Sequence, residues 1–399
     1  MIVDLRPSHY TSFPIRARRN DFRMSEHLSR YQRIVIKIGS SLLVDKETGL
    51  RRQWLESLLA DVATLSKQGK EVLIVSSGAI ALGRRELADR GIELRDGYLK
   101  LKESQAAAAV GQIALSGIFR DTLQTHSLAA AQILLTIGDT EQRRRYLNAR
   151  NTIATALQWN AIPIINENDS VATSEIRYGD NDRLAARVAT MCGADLLILF
   201  SDIDGLYDAP PASNPNAKRI AHVPTINDQI EAMAGDAASI HSRGGMKTKI
   251  DAAKIASAGG TAMVIASGLK DHPIRSLAES AVGTWFDPNP NSISDWKKWI
   301  AGGLEVAGKI TIDAGALMAL EGGKSLLPAG VTEIEGHFQR GDTVAILGPN
   351  SHVVGRGLVE YCSDDAATVI GLKSSQIAEK LGPSARSSLV HRDNLVLDG

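Results

Sequence analysis

The sequence predicts an α/β domain, a mostly parallel sheet sandwiched by helices, followed by a small β-rich barrel. Three observations point to it. From Arg33 onward, short runs that are apolar throughout alternate with longer amphipathic stretches; apolar runs of this kind suit strands buried on both faces, which requires helices on both sides of the sheet. Around Phe286 the texture changes to Asp287-Pro288-Asn289-Pro290-Asn291 and then a Trp-bearing segment, a linker composition. Beyond it, short runs are separated by glycine turns, as in a compact barrel.

Ile34-Val35-Ile36-Lys37-Ile38 reads as the first strand, Trp54 to Leu65 as a helix, and Val72-Leu73-Ile74-Val75 as the second strand. Further strands are expected at Ile162 to Ile165, Leu196 to Phe200 and Ala262 to Ala266, each beside a stretch of helical periodicity. In the second unit, strands are expected at Lys309 to Ile312, Thr343 to Leu347 and Ser351 to Val354. The expected division is a flexible extension over 1–29, a main domain over 30–290, a linker over 291–305 and a terminal unit over 306–399.

The length of 399 residues exceeds what one core usually supports, which fits two domains. No apolar run approaches the ~20 residues of a membrane helix. Lys plus Arg and Asp plus Glu both count 45, so no global basic field exists to hold a long nucleic acid. Cys192 and Cys362 lie far apart among apolar or small residues, which argues against a disulfide framework or thiolate metal site and fits a reducing cytoplasm. The start carries Arg6, Arg16, Arg18, Arg19 and Arg23 without the apolar core of a secretory signal. Asp4, Asp21 and Glu26 count against a transit peptide; a flexible extension, or a true start at Met24, accounts for the segment.

Ligands of parallel sheets sit beyond the carboxyl ends of the strands, so the loops there carry the chemistry. Lys37 lies in an apolar strand and is followed at once by Gly39-Ser40-Ser41. A cation and exposed backbone N–H groups at one strand end suit phosphate, although a lysine snorkelling at a strand end explains this segment equally well. Ser76-Ser77-Gly78-Ala79-Ile80 repeats the design at the next strand end and opens a helix, whose amino end attracts anions; taken singly, serine capping explains it. Arg243-Gly244-Gly245-Met246-Lys247-Thr248-Lys249 precedes a helical stretch from Ile250 and would dock a nucleotide tail, or else form a solvated basic loop. Asn166-Glu167-Asn168-Asp169 and Gly179-Asp180-Asn181-Asp182 place carboxylates and amides where magnesium or an amino acid could be held, while turn and cap roles remain open for Asp180. Gly322-Gly323-Lys324-Ser325 is no phosphate loop, because Met318 stands where its first glycine belongs.

Taken in order, these five motifs resemble the amino acid kinase family, and the tail resembles a PUA domain. The segments Leu147-Asn148-Ala149-Arg150-Asn151-Thr152, Ser201-Asp202 and Gly205-Leu206-Tyr207 point to the branch that phosphorylates glutamate. The resemblance runs from about Tyr31 to the C-terminus. It implies ATP-dependent phosphorylation of the γ-carboxylate of L-glutamate, the first step of proline synthesis. Lys37, Lys249 and Asp182 would be catalytic, with Asp182 orienting the lysines. Ser77, Asp169, Asn181 and Asp180 would hold glutamate. Lys37, Gly39, Ser201, Asp202, Arg243, Gly244, Gly245, Met246, Lys247, Thr248 and Lys249 would bind the nucleotide. Arg243 and Lys247 stand where the family often has small hydroxylated residues, and Ser201 where threonine is common.

A glutamate side chain has a pKa near ~4.3, so the nucleophile is already ionised and the obstacle is repulsion between two anions. Magnesium, Mg2+, would bridge the ATP phosphates through phosphate and water rather than a protein cage. The resemblance further implies feedback inhibition by proline, a homo-oligomer, and hand-over of the acyl phosphate to glutamyl phosphate reductase. Two rivals stand: a related kinase of acetylglutamate, aspartate or a nucleotide, and an RNA-binding protein acting through the tail, which the neutral charge balance weakens.

Overall fold

A computed structural model describes residues 26–45, 49–92, 99–171, 181–211, 213–234, 245–290, 306–382 and 386–397. The expected extension up to residue 25 and the expected linker over 291–305 lie outside them. In chain order the first unit runs α1 (Glu26–Ser29), β1 (Arg33–Ile38), α2 (Ser40–Leu43), β2 (Val44–Asp45), β3 (Gly49–Leu50), α3 (Arg52–Lys67), β4 (Glu71–Ser76) and α4 (Ala79–Asp89). It continues with α5 (Leu101–Thr125), β5 (Ala129–Leu135), α6 (Ile137–Glu141), α7 (Arg143–Gln158), β6 (Ala161–Glu167), α8 (Asn181–Cys192) and β7 (Leu196–Ser201). It closes with β8 (Leu206–Tyr207), β9 (Arg219–Ile220), β10 (His222–Val223), α9 (Asp228–Met233), α10 (Met246–Ala258), β11 (Ala262–Ser267), α11 (Pro273–Ser280) and β12 (Thr284–Phe286).

Eight of these strands form one sheet in the order β10-β12-β11-β7-β1-β4-β6-β5, parallel except where β12 meets β11. Alternation along β1 divides the core. Ile34, Ile36 and Ile38 face α3, α5 and α11 on one side, while Val35 faces α8 and α10 on the other. The period of two therefore sends the Lys37 side chain to the same face as Val35. The α8–α10 pair can pack closely there because small residues, Ala185, Ala189, Ala252, Ala253 and Ala256, fill the layer with Val188 and Ile250. No helix among the described residues is long and apolar enough to cross a membrane.

One expectation needs correcting at the amino end. The fold does not wait for Arg30, because Leu28 in α1 is fully buried and packs into the core with Tyr31 and Ile34. A single buried leucine in a polar segment carries no periodic signal, so the boundary is not visible in composition.

The second unit is a five-stranded mixed sheet in the order β14-β13-β15-β16-β17, built from β13 (Gly308–Ile312), β14 (Val331–Gly336), β15 (Thr343–Leu347), β16 (Val353–Val359) and β17 (Val390–Leu397). It has its own core around Ile310, Phe338, Ile346 and Val390. Gly322, in the segment that mimics a phosphate loop, is the C-cap of the short helix Ala314–Glu321. The two units touch through α7: Arg143 Nη1 donates to Thr343 Oγ1 at 2.7 Å and Arg150 Nη1 to Asn394 Oδ1 at 3.3 Å.

Candidate active site

The carboxyl ends of β7, β1, β4 and β6 lie side by side on one edge of the sheet. At the end of β1 the Lys37 side chain emerges beneath the first turns of α8 and α10. Its Nζ lies 2.5 Å from Asp182 Oδ1, and Lys249 Nζ lies 3.1 Å from Asp182 Oδ2. Thr248 Oγ1 donates to the same Oδ2 at 2.9 Å. All three charged residues are buried, with exposures of 8% for Lys37, 1% for Asp182 and 5% for Lys249. A snorkelling lysine would end in water; the Lys37 ammonium ends on Asp182.

One carboxylate thus holds two ammonium groups that would otherwise repel each other. Burial opposes ionisation of Asp182, but Lys37 and Lys249 outweigh it and hold the carboxyl below its usual value. Burial is also the strongest influence on Lys37 and lowers its ammonium pKa; Asp182 opposes the shift, Lys249 adds to it, and Asp202 pulls the other way. Asp202 follows β7, the neighbour of β1, and accepts from Ser201 Oγ at 3.0 Å. Gly39 lies beside the cation: a Cβ there would be 3.7 Å from Lys37 Nζ.

The second cluster is made of amides. Asn181 opens α8 and its Nδ2 donates to Ser77 Oγ at 2.7 Å, to Ser76 O at 3.2 Å and to Asn166 Oδ1 at 3.3 Å. Ser77 follows β4 and leads into Gly78, whose φ of 104° is left-handed and lets the chain turn directly into α4. Asp169 lines a cavity of about 700 Å³ with Gln112, Glu167 and Asn168, and burial pushes its carboxyl up to about 6. Asp182 and Asn181 are adjacent in the chain, so the lysine cluster and the amide cluster share the first turn of α8.

Of the remaining expected site residues, Gly245 is the N-cap of α10. Met246 packs against the core below, and Lys247 is exposed, so neither joins the buried charge cluster. Asp180, Arg243 and Gly244 lie outside the described residues. Asn166 entered the sequence reading only as part of its motif and Gln112 not at all, yet the structure joins both to the cluster: Asn166 Nδ2 donates to Gln112 Oε1 at 2.7 Å. A polar residue ending the apolar strand β6 is a signal for Asn166. Gln112, one polar residue in an alanine-rich helix, offers none.

A doubly covered parallel sheet with paired lysines on one carboxylate beyond its strand ends suits the charge of a transferring phosphoryl group. Residues 32–267 match the model of the amino acid kinase family and residues 308–381 that of the PUA domain, and the chain belongs to the amino acid kinase family. Among its relatives, glutamate 5-kinase of Nitrobacter winogradskyi is 59% identical over 374 residues, covering 94% of this chain and 97% of that protein. Glutamate 5-kinase 1 of Mesorhizobium japonicum is 59% identical over 372 residues, covering 93% and 97%. Glutamate 5-kinase of Bradyrhizobium diazoefficiens is 58% identical over 376 residues, covering 94% and 100%. Within the family the chain groups with the glutamate 5-kinases.

Proposed function

We propose that the chain transfers the γ-phosphoryl group of ATP to the side-chain carboxylate of L-glutamate, forming L-glutamyl 5-phosphate and ADP, the committed entry to proline synthesis. The observation that carries the chemical half of this reading is the buried pair of lysines on Asp182. A carboxylate oxygen of glutamate attacks the γ-phosphorus as the bond to the β-phosphate oxygen breaks. No base is required, since the nucleophile is ionised at neutral pH. The barrier is the approach of two anions, and Lys37 and Lys249 supply positive charge where the transferring oxygens pass. Asp182 keeps the two cations together in the resting site and releases part of its hold as phosphate oxygens arrive.

The amide cluster suits the acceptor. Ser77 past β4, Asn181 at the start of α8 and Asp169 past β6 offer a hydroxyl, an amide and a carboxylate, the groups needed to hold an amino acid by both its charges. Gly39, Ser201, Asp202 and the start of α10 suit the nucleotide. Among the described residues no three His, Cys, Asp or Glu side chains are grouped as a metal cage. Magnesium is read as part of the nucleotide substrate, held through phosphate oxygens and water.

The terminal PUA unit, docked on α7, is read as a separate module without a part in the chemistry. Trapping the acyl phosphate as a hydroxamate, with glutamate, aspartate, acetylglutamate and a nucleoside monophosphate offered in parallel, tests the assignment. Glutamate should be preferred by orders of magnitude, and preference for another acceptor would overturn it.

A further inference from the structure

A chain of side-chain amides runs from α5 to the acceptor end of the site. Asn181 Nδ2 donates to Ser76 O, a carbonyl that can only accept, so the orientation of this amide is settled. Asn166 Oδ1 accepts from the Glu167 N–H at 2.9 Å, a donor that cannot accept, so Asn166 Nδ2 must point the other way, to Gln112 Oε1. Gln112 is held in turn by Ser116: its Nε2 donates to Ser116 Oγ at 3.2 Å, and that hydroxyl donates to the Gln112 carbonyl one turn earlier at 2.7 Å. Every polar atom in this series has a partner of the right kind except its last. Asn181 Oδ1 is buried and has no hydrogen-bond partner among the described residues. A buried acceptor without a donor is unfavourable, and a ligand carrying a donor relieves it.

We propose that Gln112 is a positioning residue for acceptor selection: through Asn166 it keeps Asn181 Oδ1 turned to receive an N–H of the acceptor's α-ammonium group. This rests on the reading of the acceptor as glutamate. Gln112 lines the same cavity as Asp169, the carboxylate read as the counter-charge of the ammonium group. Without the Gln112 oxygen, Asn166 Nδ2 loses its acceptor. The Asn166 side chain is then held on one side only, and with it the Oδ1 on which Asn181 Nδ2 rests, so the aim of Asn181 Oδ1 at the ligand loosens.

The test compares glutamate with glutarate, which has the same carboxylates and no ammonium group, on the full-length chain. Gln112→Met keeps the size and helix propensity of the side chain but removes the acceptor. Gln112→Glu keeps an acceptor oxygen toward Asn166, and Ser116 Oγ can reverse its hydrogen to donate to it. Gln112 is only half-buried, so both variants should fold, and an unchanged KM for ATP checks that they have.

The ratio of kcat/KM for glutamate over glutarate should fall about tenfold or more in Gln112→Met, the worth of one hydrogen bond to a charged group. The loss should appear in KM for glutamate, and the parental ratio should return in Gln112→Glu. A parental ratio in Gln112→Met, or an equal collapse in both variants, would overturn the role of the acceptor oxygen. A wild-type chain inert on glutamate would instead overturn the proposed function itself.

Discussion

Replacing Asp182 by asparagine removes one charge and preserves the shape of the side chain. In the parent, the ammonium groups of Lys37 and Lys249 sit 2.5 and 3.1 Å from the two oxygens of a carboxylate that is 1% exposed. The amide leaves the two cations facing each other without the carboxylate charge between them. Breaking a buried ion pair from one side costs about 3–5 kcal/mol, a large share of the ~5–15 kcal/mol that holds a domain together. The pH dependence has a definite sign. Asp182 has a depressed folded pKa, so its contribution is present above 3.8 and is lost as pH falls through the folded value. Lys37 is lowered from 10.5, so the unfolded chain binds more protons just below that pH and stability climbs with pH there. Without the carboxylate, Lys37 shifts further down and the climb should begin at lower pH. Urea unfolding of Asp182→Asn between neutral pH and pH 10 measures both effects. Adding Lys249→Met should recover part of the loss, because one of the two opposed charges is then gone. A variant as stable as its parent, with no coupling to Lys249→Met, would refute the bridging role of Asp182.

Lys37→Met should leave the fold intact and lower glutamate-dependent ADP release by about 10²–10³-fold, the usual worth of one group that stabilises transition-state charge; unchanged turnover would remove Lys37 from the chemistry. Asp169, with its carboxyl pushed up to about 6, must be ionised to pair with an ammonium group. KM for glutamate should therefore rise as pH falls through about 6 while KM for ATP does not follow, and Asp169→Asn should abolish that step; between 3.8 and about 6 the folded state holds this proton longer, so its contribution to stability declines with rising pH. Truncation after Trp299 should spare turnover and lower the thermal midpoint by a few degrees, since it exposes the face of α7 that carries Arg143 and Arg150; a folded but inert product would place the PUA unit in the catalytic machinery.

Much of the architecture can be read along the chain because its signals are local. Apolar runs such as Leu196 to Phe200 announce strands covered on both faces, and glycine or serine just past a strand end announces where anions bind. Lys37 can be nominated in this way, as a cation in an apolar strand, whereas Asp182 and Lys249 take their roles from the resemblance to the family. Their union cannot be nominated from sequence. Lys37 reaches Asp182 and Lys249 because the strand period turns it toward α8 and α10, and because alanines let those helices approach closely enough to share one carboxylate. Burial, which sets the pKa of Asp169 and the inaccessibility of Lys37, is a property of the assembled layers. The same holds for Leu28, polar in its neighbourhood and apolar in its contacts, and for Gln112, whose partner Asn166 lies on another element. Periodicity records which face a residue takes; only packing brings faces from distant segments within hydrogen-bond distance, and the chemistry depends on those distances.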